Sequence, residues 1–312
     1  MKKAVRVLRL LPFMLSAKKS KIGGQAIIEG VMMRGKHAVS WAVRKPDGEM
    51  LIERFPFVSV CKKYKILALP VLRGAVNLFE SLQIGYKALM RSAEIAMPEE
   101  AKPKEKNSKE SFSMAISMIV ALLVSIGLFM YLPMVVAQLF FKNSAIEFNF
   151  VAGAVRLVLF LMYLIGISFW KDIRRVFQYH GAEHKAIFTF EDEKELTLEN
   201  MRPYSTLHPR CGTSFLLLVM LVCILLFSII DTLIMHYIGP YPNVLARLLV
   251  HIMLIPLVGG SSYEVLKWSD KYQRIFPVSL LIKPGLWLQY ITTKEPDDKQ
   301  LETASAALKA AL

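Results

Sequence analysis

Residues 113–141 read SMAISMIVALLVSIGLFMYLPMVVAQLFF, an unbroken run from Ser113 to Phe141 with no Asp, Glu, Lys or Arg. Crossing the hydrocarbon core of a bilayer as a helix takes about 20 apolar residues, and soluble cores rarely hold such a run. Three more stretches pass the same length test: Phe150–Trp170, Ser214–Ile238 and Leu245–Leu266. The second contains Arg156. The last contains Arg247, His251 and Glu264 and is interrupted by Pro256 and Gly259-Gly260. The expected fold is a polytopic α-helical membrane protein with four transmembrane helices.

The chain around these runs is basic. Of 312 residues 54% are apolar, yet 39 Lys and Arg against 25 Asp and Glu give a net charge of +14, with a mean hydropathy of +0.41. Such hydrophobicity excludes intrinsic disorder. The basic residues flank apolar runs instead of interleaving with aromatics, so an anionic phospholipid surface is the expected counterpart and nucleic acid is not. Lys and Arg number 22 in residues 1–112, 7 in 171–213 and 7 in 267–312, but one in 142–149 and none in 239–244. The positive-inside rule then puts both termini and the central loop in the cytoplasm. Cys61, Cys211 and Cys223 follow no disulfide spacing, which fits a reducing compartment.

The cytoplasmic parts divide into a basic N-terminal region (1–97), a charged linker (98–112), a central loop (171–213) and a C-terminal segment (267–312). Together they make a composite α+β domain. In the first twenty residues Arg6 and Arg9 interrupt any signal-peptide core, and Leu8, Leu10, Leu11, Phe13 and Leu15 among basic residues suit an interfacial segment. Gly23–Gly35 holds four glycines, which suggests tight turns or close backbone approaches. Within it Gln25, Glu29 and Arg34 are candidates for a docking or substrate loop. Ala38–Lys45 and Glu49–Val58 flank the turn signal Pro46-Asp47-Gly48 and predict a β-hairpin. Residues 64–97 carry apolar side chains at helical spacing beside Arg73, Lys87 and Arg91, an amphipathic or interfacial helix. Lys185–Glu191 alternates like a strand, Lys283-Pro284-Gly285 reads as a turn, and a closing helix starts near Asp298.

The most specific motif is His180-Gly181-Ala182-Glu183-His184. On a helix, positions i and i+4 share a face about 6 Å apart, so both imidazoles can bind one metal ion while Glu183 polarises a bound water. This is the H-x-x-E-H arrangement of inverted zincins. Gly181 weakens the helix by up to about 1 kcal/mol. His208 and Cys211 offer an imidazole and a thiol at chelating separation. Glu264, at the inner end of the fourth apolar run, stands where inverted zincins place a downstream ligand. Arg210 or Arg34 can stabilise an oxyanion. The expected cofactor is a divalent metal, Zn²⁺ first, held by His180, His184 and either Glu264 or His208 and Cys211. The same residues also fit an ordinary hydrogen-bonded cluster, with Cys211 a buried small hydrophobe and Glu264 paired to Lys267.

A second group, Arg156, Asp231, Arg247 and His251, lies within the apolar runs. Ionisable groups there pair or line a pathway. Asp231 bridging to Arg156 or Arg247 is one reading, and a polar pocket for a lipid head group or ion the other.

The chain resembles the YqhQ-like family of bacterial inner-membrane proteins. The resemblance is carried by Gly23–Gly35, Tyr179–Lys185, His208–Phe215, Ser262-Tyr263-Glu264, Pro284–Gln289 and Thr292–Pro296, blocks that span nearly everything after residue 20. It implies a domain of unknown function, sometimes labelled a metal-dependent enzyme, and brings no substrate. Three functions are therefore expected in competition: a metal-dependent hydrolase at the cytoplasmic membrane face with Glu183 and Arg210 as catalytic residues, a non-catalytic scaffold docking a membrane-protein partner, and a small transporter or lipid-handling protein.

Overall fold

The computed structural model describes residues 22–97, 108–142, 144–209, 211–271 and 276–312. The N-terminal segment before Ile22, most of the charged linker and Arg210 lie outside them.

The chain opens with an antiparallel sheet in the order β1 (Gly23–Ile27), β2 (Gly30–Arg34), β3 (Ala38–Arg44), β4 (Met50–Pro56). Gly48, at a φ of 89°, closes the turn between β3 and β4. The glycine-rich block is therefore mostly strand. Gly30 shows why: a Cβ there would stand 2.3 Å from the Ala42 carbonyl on β3. Next come α1 (Val60–Lys63) and α2 (Leu72–Ala96).

The apolar helices follow. α3 (Ser108–Ile126) passes through a π turn at Gly127–Tyr131 into α4 (Leu132–Phe140), and α5 (Ala145–Ser168) returns. α6 (Lys171–Glu191) and the single turn α7 (Leu198–Met201) form the central segment. α8 (Gly212–Tyr237) is the next long apolar helix. After it, α9 (Val244–Met253) and α10 (Ile255–Lys271) meet at a 53° bend. Pro256, one residue into α10, has no N–H to donate back and its ring crowds the preceding turn, which accounts for the break. α11 (Phe276–Thr292) and α12 (Asp298–Ala311) complete the chain. Among the described residues three helices are long and apolar enough to cross a membrane, or four if the bent pair counts as one.

Two local expectations are corrected. Lys185–Glu191 is the last part of α6, because Tyr179, Ala182, Ala186 and Ile187 form one buried helical face and its 3.6 period outweighs a short alternation. Lys283-Pro284-Gly285 lies inside α11, where the surrounding apolar run carries the helix through a proline.

The sheet is covered on both faces. Val31, Met33 and Ala42 pack on Tyr179, Ala182 and Ala186 of α6 and on Leu301, Ala304 and Leu308 of α12. The opposite face, with Met32, Val39, Trp41 and Val43, packs on α2 through Ala88 and Ile84. The period of two along β2 and β3 sorts these side chains cleanly. Ser40, on the α12 face, donates its hydroxyl to the Ala307 carbonyl at 2.6 Å. A three-layer α/β/α unit thus forms from the N-terminal, central and C-terminal segments. It places α6 between the sheet and the chain entering α8.

Candidate metal centre

Three ligand atoms, one each from His180, His184 and Cys211, all lie within 4.8 Å of one another. Metal–ligand bonds near 2.0–2.3 Å allow one ion to reach all three.

Each donor is held by its own part of the fold. The α6 period puts His180 and His184 on one face, with ring centroids 4.5 Å apart. His180 Nδ1 donates to the Thr292 carbonyl at 2.8 Å, and His184 Nδ1 donates to the Thr206 carbonyl at 2.5 Å. A carbonyl only accepts, so both rings carry their proton on Nδ1 and leave an Nε2 lone pair facing inward. This is how proteins orient metal-binding imidazoles. Cys211 caps the N-terminus of α8. Its Sγ lies 3.1 Å from His180 Nε2 and 3.1 Å from the Thr213 hydroxyl.

Packing also requires the glycine inside the motif. A Cβ on Gly181 would come 2.1 Å from the Lys294 carbonyl, in the segment joining α11 to α12. That segment is pinned by Lys294 N–H donating to the Phe177 carbonyl, and by Lys185, buried, paired with Glu295. The helix gives up propensity at Gly181 so that the backbone carrying Thr292 can approach.

Glu183 completes the centre. One of its oxygens stands 3.8 Å from His180 Nε2 and 3.7 Å from His184 Nε2. It is only 4% exposed. Burial pushes its carboxyl up to about 7, against opposing pulls from His180 and from the Gly24 backbone N–H. Burial, followed by the neighbouring His180, pushes the His184 imidazole down to about 4.

The other expected ligands are elsewhere. His208 lies behind the site, its ring tilted against those of His184 and Phe188 at 5.5 and 4.4 Å between centroids. Its Nε2 lies 3.6 Å from Glu191. Gln289 holds its backbone at both the N–H and the carbonyl, 2.7 and 2.8 Å away, so His208 sets the path of the loop to Cys211. Glu264 is gripped through both oxygens by Arg73 of α2. An arginine fork satisfies a carboxylate, so this pair replaces the expectation of Glu264 as a ligand, and Lys267 adds a weaker attraction to the same carboxylate.

The proposed docking loop is tied up internally. Glu29, at a φ of 50° in the β1–β2 turn, is held by Arg175 and receives the Tyr179 hydroxyl at 3.3 Å. Arg34 donates to Ser81 and Glu80 and covers the Phe57 ring. Gln25 lies against Gly85 of α2.

The second group of ionisable residues, within the apolar helices, centres on Asp231, which is fully buried. It accepts from Asn149 at 2.8 Å, Tyr241 at 2.8 Å, Arg247 Nε at 2.7 Å and His251 Nε2 at 3.0 Å. Arg247 lies over Phe148 and His251 stacks on Phe227. Arg156 is not in this cluster. Its Nε donates to the Phe129 carbonyl at 2.8 Å, whose i+4 residue is Pro133 and has no N–H to offer.

A family model described as a protein of unknown function (DUF1385) matches residues 69–312. The chain belongs to this family. It is 37% identical over 297 residues to the uncharacterized protein YqhQ of Bacillus subtilis (strain 168), covering 90% of this chain and 89% of that protein. No solved structure matches it. The family's matched region includes all three converging donors, whereas β1, which supplies Gly24 against Glu183, precedes it. The two carbonyls that fix the imidazoles leave no mark in the sequence, because every residue has one. The Gln289 clamp, 81 residues from His208, leaves none either.

Proposed function

We propose that this protein is a multi-pass membrane protein whose cytoplasmic unit holds a divalent metal, Zn²⁺ first, on His180, His184 and Cys211, and that the centre serves metal-dependent hydrolysis. The convergence of these three donors carries the reading. Two neutral imidazoles and a thiolate suit zinc, and three protein ligands leave a position for substrate or water. A bound zinc ion would supply Lewis acidity and a water that ionises near neutral pH. The chain's own part is to hold Nδ1 of both histidines on carbonyls, exclude solvent around His184, and offer the Glu183 carboxylate as the proton acceptor beside the ligands. Arg210 is two residues from His208 in sequence and remains a candidate for oxyanion stabilisation.

The membrane reading rests on the apolar helices and on the loop charges, which favour cytoplasmic termini in a bacterial inner membrane. Trp170 and Trp268, exposed at 67% and 54%, stand near the ends of α5 and α10 where aromatic anchors are expected.

Metal analysis of the full chain purified in detergent without chelator tests the metal reading. One zinc per chain is expected, lost in Cys211→Ala and His184→Ala and retained in Glu264→Gln and His208→Ala. A wild-type chain that neither carries nor takes up stoichiometric metal would overturn it. Glu183→Gln should keep the metal and abolish hydrolysis.

A second reading is favoured by the burial of His184 and Glu183 at 1% and 4% exposure. Zinc would then staple α6 to the start of α8, with the end of α11 braced through the Thr292 carbonyl on His180, as a scaffold for a membrane partner. In that case Glu183→Gln leaves cellular function intact.

A further inference from the structure

The α2 helix carries two apolar faces, and only one is used inside the protein. Gly74, Gly85, Ala88 and Ser92 are buried and face the sheet and α10. A separate stripe of Leu72, Phe79, Leu82, Tyr86 and Leu89 recurs at intervals of three, four and seven and is exposed, Phe79 at 68% and Leu82 at 64%. The segment leading into α2 adds Val58, Tyr64, Ile66 and Leu69, with Ile66 at 71%. An exposed apolar stripe of this regularity marks a contact with something outside the chain.

We infer that this stripe lies in the head-group region of the membrane leaflet on the side of the metal centre, docked on anionic phospholipid. Charge selects this occupant. From Arg54 to Phe79 the sequence holds Arg54, Lys62, Lys63, Lys65 and Arg73 and no acidic residue, and Lys62, Lys63 and Lys65 are exposed beside the apolar side chains. A second copy would bring the same cations against themselves, whereas an anionic surface complements them. Position agrees. The first turns of α2 sit on the bent apolar pair: a Cβ on Gly260 would meet the Val71 carbonyl at 2.2 Å, and one on Gly74 the Gly260 carbonyl at 2.6 Å. The Arg73–Glu264 pair closes the same crossing. The stripe therefore starts at the surface of a helix assigned to the membrane, and the inference rests on that assignment. Because α2 also covers one sheet face, its anchoring fixes the three-layer unit against the bilayer.

Photo-crosslinking separates the possibilities. The photoreactive residue p-benzoylphenylalanine is placed singly at Phe79, Leu82, Asp47 and Leu225 of the full chain, reconstituted in phosphatidylethanolamine–phosphatidylglycerol vesicles and also irradiated in cells. Phospholipid adducts at Phe79 and Leu82, at yields approaching those at Leu225 on α8 and absent at Asp47, are expected. Replacing Lys62, Lys63 and Lys65 by Gln should lower the Phe79 adduct by about fivefold or more, since each basic residue contributes about that factor at an anionic surface. Adducts to a second copy or another protein, or no adduct at Phe79 and Leu82 while Leu225 labels lipid, overturn the inference and leave the membrane spans standing. Absence of lipid adducts at Leu225 overturns the span assignment itself.

Discussion

Gly24 lies directly against the carboxyl of Glu183: a Cβ at position 24 would stand 2.6 Å from Glu183 Oε1 and 2.7 Å from its Cγ. The first strand of the sheet thus forms one wall of the candidate metal centre. Gly24→Ala is expected to displace the buried carboxyl and cost about 1–3 kcal/mol through overpacking, while zinc uptake at the proposed site should persist, since the three candidate donors come from α6 and Cys211. Gly23→Ala is the control, since a Cβ there meets nothing within 4 Å. Thermal unfolding and metal content of both variants check this. Equal stability of the two variants would show that the wall yields freely.

Gly181 makes a sharper case, because two effects oppose each other. Alanine in a helix interior is favoured over glycine by about 1 kcal/mol, yet its Cβ would strike the Lys294 carbonyl, which is backbone and cannot swing aside. Gly181→Ala should therefore lower stability, and it should weaken zinc binding by pushing the Thr292 carbonyl off His180. Gly166→Ala, in α5 with open space around it, should be neutral or stabilising. Comparing zinc affinity and melting temperature across the pair tests the steric argument apart from propensity.

These two glycines show what the sequence can carry. Helical spacing placed His180 and His184 on one face, and the loop charges argued for Cys211 on the same side. Both are local or one-dimensional signals. The choice among Cys211, His208 and Glu264 is a matter of three-dimensional packing. Arg73 lies nearly two hundred residues from Glu264 in sequence, and Gln289 and Glu191 draw His208 aside. Sheet formation by a glycine-rich block was equally hidden, because the need for Gly30 comes from Ala42 on a neighbouring strand. The glycine count signalled close approach without saying what approaches.

The Asp231 cluster should behave as one unit. Removing a partner from a buried ion pair typically costs about 3–5 kcal/mol, because the remaining charge is stranded. Asp231→Ala would leave Arg247 and His251 without their shared acceptor and should fall in that range. Asp231→Asn keeps oxygen and shape and should cost less. Arg156→Leu removes a largely buried guanidinium and leaves the Phe129 carbonyl without its donor, so it should cost about 1–3 kcal/mol, less than Asp231→Ala. Unfolding in one mild detergent ranks the three. An Arg156→Leu effect as large as that of Asp231→Ala would mean that the two charges are coupled.

The contact between α2 and the sheet has an acid-sensitive element. Arg91 of α2 holds Glu53 of β4, with Nη2 to Oε1 at 2.8 Å, and Trp41 donates to the same carboxylate at 2.8 Å. Hydrogen bonding to Arg91, reinforced by Trp41, keeps the Glu53 carboxyl below its ordinary value although partial burial opposes this. A depressed carboxylate stabilises the fold above its unfolded pKa, near 4.3 for glutamate. That contribution is lost as pH falls through the lower folded value. Both side chains are partly exposed, 44% and 23%, so the contribution should be no more than about 1 kcal/mol and weaker in high salt. Glu53→Gln should lower the melting temperature above pH 6 by a constant amount and converge on wild type as the pH falls through the depressed folded pKa. A difference between the two proteins that persists unchanged into acid would assign the effect to lost packing on Trp41 instead of charge.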